Sequence, residues 1–260
     1  MQKLLIKNNN IYRYYNMKTI AMLIPSTTRN RDWNKLEDTY LYKFRKLYTQ
    51  YNIVYYIGYD KDDKIYSKKE ERDKFDANWI ECNFEKGNVV AVWNHLFEIT
   101  HSKYDYYYIV GDDIRYPNKP IDIFQKLCTS LDNNNGLGIS GVFNGNPNLP
   151  MTQFLITDIH YELFKFVFPD KLKNWFCDNF LLELYKEHTF FHPISAPNSG
   201  GEPRYNPNND DGALATYLAN QYRRHIHLYQ SNNNIFKKGW VVMKNGKQVE
   251  YKTYKEATTK

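Results

Sequence analysis

The sequence predicts an α/β fold, with a mixed central sheet flanked by helices and a β-hairpin at its C-terminal end. Three observations predict it. Short apolar runs end in Gly, Pro, Ser or Asp; apolar residues recur at helical spacing between those runs; and an Asn-Gly pair divides a late β-rich segment. At 260 residues the chain suits one large domain or two small ones. Hydrophobic residues at 42% and aromatics at 17%, including 24 Tyr and 15 Phe, exclude a disordered chain. A mean hydropathy of −0.72, with no apolar stretch of membrane length, excludes a spanning protein.

Residues 1–16 read as a polar, Tyr-rich tail, 17–230 as the main domain and 231–260 as a hairpin extension. Thr19 to Pro25 is an apolar run ended by Pro, Ser and Thr, a buried strand meeting a loop. Asp32 can cap a helix whose apolar face runs through Trp33, Leu36, Tyr40, Leu41, Phe44, Leu47 and Tyr48. Ile53 to Ile57 forms a second strand leading into the acidic loop from Gly58 to Asp63, and strand, helix, strand implies a parallel pair. Val89 to Thr100 reads as a helix that delivers the chain to a third strand, Tyr106 to Val110, which stops at Gly111-Asp112-Asp113. Gly138 to Phe143 and Gln153 to Thr157 read as further strands, and Ile159 to Phe168 and Trp175 to Lys186 as helices separated by Pro169. A Pro-, Gly- and Asn-rich loop spans His192 to Asn209, and Asp210 or Asp211 caps a last helix through Leu214, Tyr217, Leu218 and Tyr222. Trp240 to Tyr251, with Asn245-Gly246 in its middle, is a two-residue hairpin.

Open sheets of this kind bind ligands beyond the carboxyl ends of their strands. Three polar loops meet there: Ser26 to Arg31, Asp60 to Asp63, and Asp112-Asp113. No glycine-rich phosphate loop follows the first strand, so neither a Walker-type nucleotidase nor a nicotinamide enzyme is supported. Adjacent carboxylates after an apolar strand repel one another unless a cation offsets them, and hard divalent ions prefer carboxylate and phosphate oxygens. Asp112 and Asp113 therefore suggest a metal–diphosphate site, although Gly-Asp-Asp also suits an ordinary turn. Lys and Arg number 35 against 29 Asp and Glu, a mild excess that points only weakly to anionic ligands. The three cysteines, Cys82, Cys128 and Cys177, have neither the spacing of a zinc site nor the density of a disulfide framework, which favours a reducing compartment. The first fifteen residues carry Lys and a triple Asn where a signal peptide needs a continuous apolar stretch, so the expectation is cytoplasmic, without a membrane anchor.

The succession of a strand with Pro-Ser-Thr, a second strand ending near Asp60, a helix with Trp93-Asn94, and a hydrophobic strand with Gly-Asp-Asp resembles the GT-A glycosyltransferases. The similarity runs from about Met17 to Tyr229. It implies a Rossmann-like fold, a UDP-sugar donor, a glycan, protein or small-molecule acceptor, and Mn2+ or Mg2+ as cofactor. By this resemblance Asp113 is the direct metal ligand and Asp112 serves the ribose or metal-bound water, while Gly111 stands where the first acid of the family's Asp-x-Asp segment would be. Pro25, Ser26, Thr27 and Arg29 would line the nucleotide, Asp60 would accept a hydrogen bond from a uracil imide, and Asn94 would contact the donor. Asn174-Trp175-Phe176-Cys177-Asp178 resembles the acceptor-site acidic motif of inverting members: Asp178 would be the base and Trp175 a face for the acceptor sugar. Capping of the helix is the plainer role for Asp178. His188, or else His192, would complete the metal shell, and Arg204, in the segment Gly200 to Tyr205, would pair with a phosphate. Two rival readings remain. One is a carbohydrate-binding protein of the same fold without turnover. The other is a polymerase-like, nucleic-acid-binding protein using the Gly-Asp-Asp turn; the length disfavours it, and no nucleic-acid partner is expected.

Overall fold

The computed structural model describes residues 3–8, 11–27, 44, 47–114, 122–143, 151–196, 211–233, 240–244 and 247–251. Strands β1 (Lys3–Asn8) and β2 (Ile11–Asn16) pair antiparallel in a sheet of their own, so the segment read as a polar tail contains a hairpin. The main sheet holds β3 (Thr19–Ser26), β4 (Asn52–Asp60), β5 (Asn78–Cys82), β6 (Tyr106–Ile109), β7 (Ile139–Phe143), β8 (Phe154–Ile156), β9 (Thr189–Ser195), β10 (Trp240–Lys244) and β11 (Lys247–Tyr251). Their spatial order is β11-β10-β9-β7-β8-β6-β3-β4-β5. Neighbours from β6 through β3 and β4 to β5 run parallel, as do β7, β9 and β10. Strand β8 lies antiparallel between β6 and β7, and β11 returns antiparallel beside β10. This is the mixed α/β sheet the sequence predicts.

The helices are α1 (Lys69–Arg72), α2 (Val89–Thr100), α3 (Ile123–Asp132), α4 (Asp158–Phe164), α5 (Cys177–Tyr185) and α6 (Asp211–Asn233), with a 3-10 turn at Lys186–His188 after α5. Because strand side chains alternate between faces, β3 feeds two cores. Ala21 and Leu23 face α2, α5 and α6 together with Tyr107 and Ile109 of β6. Ile20, Met22 and Ile24 face α3 with Tyr106 and Tyr108. Burial on both faces explains why the β3 segment reads as a continuous apolar run rather than an alternating one.

Several boundaries differ from the sequence reading. Helix α3, capped by the Asp122 carboxylate accepting from the Gln125 N–H (2.9 Å), occupies a stretch in which no element was expected. Strand β9 extends to Ser195, well into the expected loop: Pro193 falls where the register with β7 jumps from Val142↔His192 to Phe143↔Ser195, so its missing N–H breaks no ladder pair, while Phe190, Phe191, His192 and Ile194 are buried. Helix α4 starts at Asp158 and stops at Phe164, four residues short, where Lys165 turns left-handed (φ 64°). Helix α5 starts at Cys177, and α6 continues through His225 to Asn233. The expected helix after Asp32 lies mostly outside the described residues; Phe44 and Tyr48 are described, and both pack on Phe124 of α3. The Asn245-Gly246 turn lies outside them as well.

Candidate functional site

Parallel strands β3, β4 and β6 end together, and the helix following them in a right-handed crossover must start at that same edge. Helix α2 does so. Asn88 caps it by accepting from the Ala91 N–H (3.1 Å), and the Trp93 indole N–H donates to the Leu23 carbonyl (3.1 Å), bolting α2 onto β3. Between the strand ends and the first turn of α2 lies a cleft of about 400 Å3. Pro25, Ser26, Thr27 and Asp60 line one side, and Lys86, Gly87, Asn88, Val89 and Val92 the other, with Gly58 between them. Gly58 is where backbone and helix come closest: a Cβ there would sit 2.4 Å from Val92 Cγ1. Beneath it the Cys82 thiol is pushed up to about 11 by burial and by nearby Asp60, which leaves it protonated.

The Gly111-Asp112-Asp113 turn adjoins this cleft through Ser26. The Ser26 hydroxyl donates to Asp112 Oδ2 (2.7 Å), and Asp112 is buried, 5% exposed. Tyr66, whose hydroxyl lies 3.3 Å from Ser26 Oγ, joins the same chain of contacts. Asp63 shapes the loop around it, accepting from the N–H groups of Ile65 (3.0 Å) and Tyr66 (2.9 Å) and, at 3.4 Å, from the Thr27 hydroxyl. Gly111 has a local reason as well. A Cβ there would fall 2.7 Å from Asp113 Oδ1, so the Asp113 carboxylate occupies the space that a side chain at 111 would need. The turn thus offers two carboxylates on adjacent residues, one oriented by a buried hydroxyl.

The loop that leads into Asp178 is fastened to α2. Asn94, on α2, accepts from the N–H groups of Val167 (2.9 Å) and Phe168 (3.0 Å) and donates to the Phe168 carbonyl (2.8 Å) and to Asp170 (3.1 Å). The Val90 N–H donates to the Lys173 carbonyl (3.0 Å), and Lys173 pairs with Glu85 (2.6 Å). The loop that ends in Asn174-Trp175-Phe176 is therefore mounted on the helix that walls the cleft. Trp175 is 38% exposed, high for an indole. Phe176, the N-cap of α5, is left-handed (φ 62°, ψ 7°), a conformation that costs a non-glycine residue roughly 1–2 kcal/mol. Asp178 follows in the first turn of α5, its Oδ1 accepting from the Asn179 N–H (2.9 Å). Burial raises its carboxyl from 3.8 to about 6, against the stabilising backbone N–H groups.

The remaining expected site residues are placed differently. Asn94 is committed to the loop just described. His188 lies at the opposite edge of the sheet, at the start of β9, where its Nδ1 meets the Asn134 amide (2.9 Å) and its Nε2 the Gln230 amide of α6. Helix α6 begins beside Phe176 and rises 1.5 Å per residue, so Gln230 is about 27 Å from Gly212. The structure does not bring His188 to Asp113. His192 is buried within β9 between the Ser130 (3.1 Å) and Ser140 (3.3 Å) hydroxyls, and burial with Lys126 lowers it to about 3, so it is neutral. Arg29 and Arg204 lie outside the described residues. Sequence reasoning missed Tyr66, Asp63 and Gly58; the acidic loop pointed to Asp63 only as one of several acids.

No protein-family model matches this sequence, and no curated protein sequence matches it. Among solved structures, the fold resembles the Pyrobaculum calidifontis mannosyltransferase PcManGT in complex with GDP-Man and Mn2+, with a TM-score of 0.54, 9% identity, and 86% of this chain and 77% of that chain covered. It also resembles S. aureus TarS 1–349 in complex with UDP-GlcNAc, with a TM-score of 0.50, 11% identity, and 79% of this chain and 66% of that chain covered. Against a longer TarS chain (TM-score 0.49, 10% identity) 85% of this chain is covered, but it spans 44% of that chain. The chain shares with PcManGT and TarS 1–349 a mixed α/β, Rossmann-like fold.

Proposed function

We propose that this protein is a glycosyltransferase that moves a sugar from a UDP-sugar to an acceptor hydroxyl with inversion. The observation that carries the reading is the joining of two parts at one sheet edge, with a third attached to the helix that walls them. These are a cleft with Asp60 in its wall, a carboxylate turn bonded to that cleft through Ser26 and Asp112, and a half-buried Asp178 in the first turn of α5, just after a loop mounted on α2. The shared fold supports it, since the two structures above carry UDP-GlcNAc and GDP-Man.

In this reading Asp60 accepts a hydrogen bond from the base, and Pro25, Ser26 and Thr27 flank the nucleoside. Asp112 and Asp113 would hold Mn2+ or Mg2+. Among the described residues no three His, Cys, Asp or Glu side chains cluster. Two carboxylates nevertheless fit a hard ion that keeps several waters and takes its other ligands from substrate phosphates. When bound, the ion offsets negative charge on the leaving diphosphate. Trp175 offers an exposed flat face to the acceptor ring. Asp178 takes the proton of the acceptor hydroxyl as it attacks the anomeric carbon, and a carboxyl titrating near 6 is mostly in the accepting form at pH 7.

The test is a panel of UDP- and GDP-sugars screened for Mn2+-dependent hydrolysis, followed by acceptor trials with the active donor. Asp113→Ala should abolish turnover and weaken donor binding, whereas Asp178→Asn should keep UDP binding and lose transfer. Full transfer by Asp178→Asn would remove the base assignment. Sugar binding with no hydrolysis of any donor would instead favour a binding protein of the same fold.

A further inference from the structure

The entry to α5 pairs two unusual residues. An N-cap is ordinarily an extended Ser, Thr, Asp or Asn whose side chain accepts a backbone N–H. Phe176 is none of these: it is aromatic, left-handed, and makes no side-chain cap. Its backbone carbonyl still accepts the first helical bond, from the Phe180 N–H (2.9 Å). Neither capping nor backbone preference explains a phenylalanine there.

What the left-handed turn achieves is to lay the ring on Gly212, in the first turn of α6. A Cβ at 212 would lie 3.2 Å from Phe176 Cε1 and 3.4 Å from Cδ1, so the ring rests where any other residue would project a side chain. A bulky residue in a costly conformation faces a residue reduced to hydrogen, and each half is accounted for by the other. The two helices are tied again further along, where Arg223 donates to the Glu183 carbonyl and lies 3.7 Å from its carboxylate. Helix α6 is thus fixed along α5, and the ring seat falls two residues ahead of Asp178.

We propose that Phe176 is a positioning residue: its ring, seated on Gly212, locks the entry to α5 and thereby the direction of the Asp178 carboxylate. The consequence for function rests on the reading of Asp178 as the base. Of the titratable groups around it, the Cys177 thiol is pushed well up by burial and by Asp178 itself and stays protonated. Arg223 is paired with Glu183 and Lys173 with Glu85, which leaves desolvation to dominate at Asp178.

The experiment is a carbon-13 NMR titration of the aspartate carboxyls in the full chain, which needs no substrate. Wild type should show Asp178 titrating near 6. Phe176→Gly, which accepts the left-handed turn but removes the ring, should move that midpoint toward 3.8 by more than one pH unit, at least tenfold in acidity. Gly212→Ala, which displaces the ring by a few tenths of an ångström, should move it in the same direction by less. An unchanged midpoint in folded Phe176→Gly and Gly212→Ala overturns the proposal, as does a wild-type midpoint near 3.8. If Phe176→Gly does not fold, Gly212→Ala decides. The outcome is independent of transfer by Asp178→Asn, so failure of the base assignment and failure of the ring seat are told apart. With an active donor in hand, the acid limb of kcat should move with the NMR midpoint in each variant, which a purely structural role would not produce.

Discussion

Replacing Asp178 by Asn should make the protein more stable while silencing it. Burial raises this carboxyl in the folded chain from 3.8 to about 6. The folded state therefore binds the proton more tightly than the unfolded state, and stability falls as pH rises between these values. At 1.36 kcal/mol per pH unit the full cost of holding the charge is about 3 kcal/mol above pH 6, and about 2 kcal/mol once partial solvent contact is allowed for. Asn carries no charge, so the gain should be present at pH 8 and absent at pH 4. With an unfolding entropy of roughly 2.1 cal/mol/K per residue, 2–3 kcal/mol corresponds to a Tm rise of about 4–5 °C in a chain of 260 residues. Differential scanning fluorimetry at both pH values measures it. A helix-capping role predicts the opposite, a loss of about 1 kcal/mol at pH 8. A fall in Tm at pH 8, or an equal gain at both pH values, would refute the reasoning.

Two buried histidines should act in the opposite direction and destabilise the protein in acid. His160 is lowered to about 4 and His192 to about 3, both by burial, so both are neutral in the fold and their stabilisation is complete above 6.5. It is lost as pH falls below 6.5 toward those values, at a cost of about 3 kcal/mol for each histidine by pH 4, and urea midpoints measured from pH 7 to pH 4 should drop accordingly. Gly58→Ala should destabilise by about 1–3 kcal/mol, because its methyl meets Val92 and forces α2 away from β4; nucleotide binding by calorimetry should weaken with it. Asn94→Ala should cost about 2–4 kcal/mol, since two N–H groups and a carbonyl of the 167–170 loop lose their partner. Proteolysis between Phe168 and Lys173 should then speed up ahead of global unfolding.

Residues whose role is local were legible in the sequence. The β3 run and the Tyr-rich β6 announce themselves because a strand buried on both faces must be apolar throughout, and the chain order of β3, β4, α2 and β6 brings Pro25, Ser26, Thr27, Asp60 and Asp112 to one edge. Residues whose role is set by distant partners were not. His188 follows an amphipathic helix and sits at the wrong end of the sheet for Asp113, a fact fixed by Asn134 and Gln230 rather than by its neighbours. Asn94 is matched by backbone groups more than seventy residues away, which no local pattern encodes. Strand β9 was obscured by Pro193, which is tolerated because it falls in a register shift against β7.

The mounting of the 166–176 loop on α2 has a consequence for grafting that loop. A transplanted 166–176 segment from another protein would need to present two successive amide hydrogens and a carbonyl to residue 94, whatever its other side chains. Swaps that preserve that three-point plug should leave the neighbouring cleft undisturbed, whereas swaps that break it would loosen its wall and confound any change read at the loop itself.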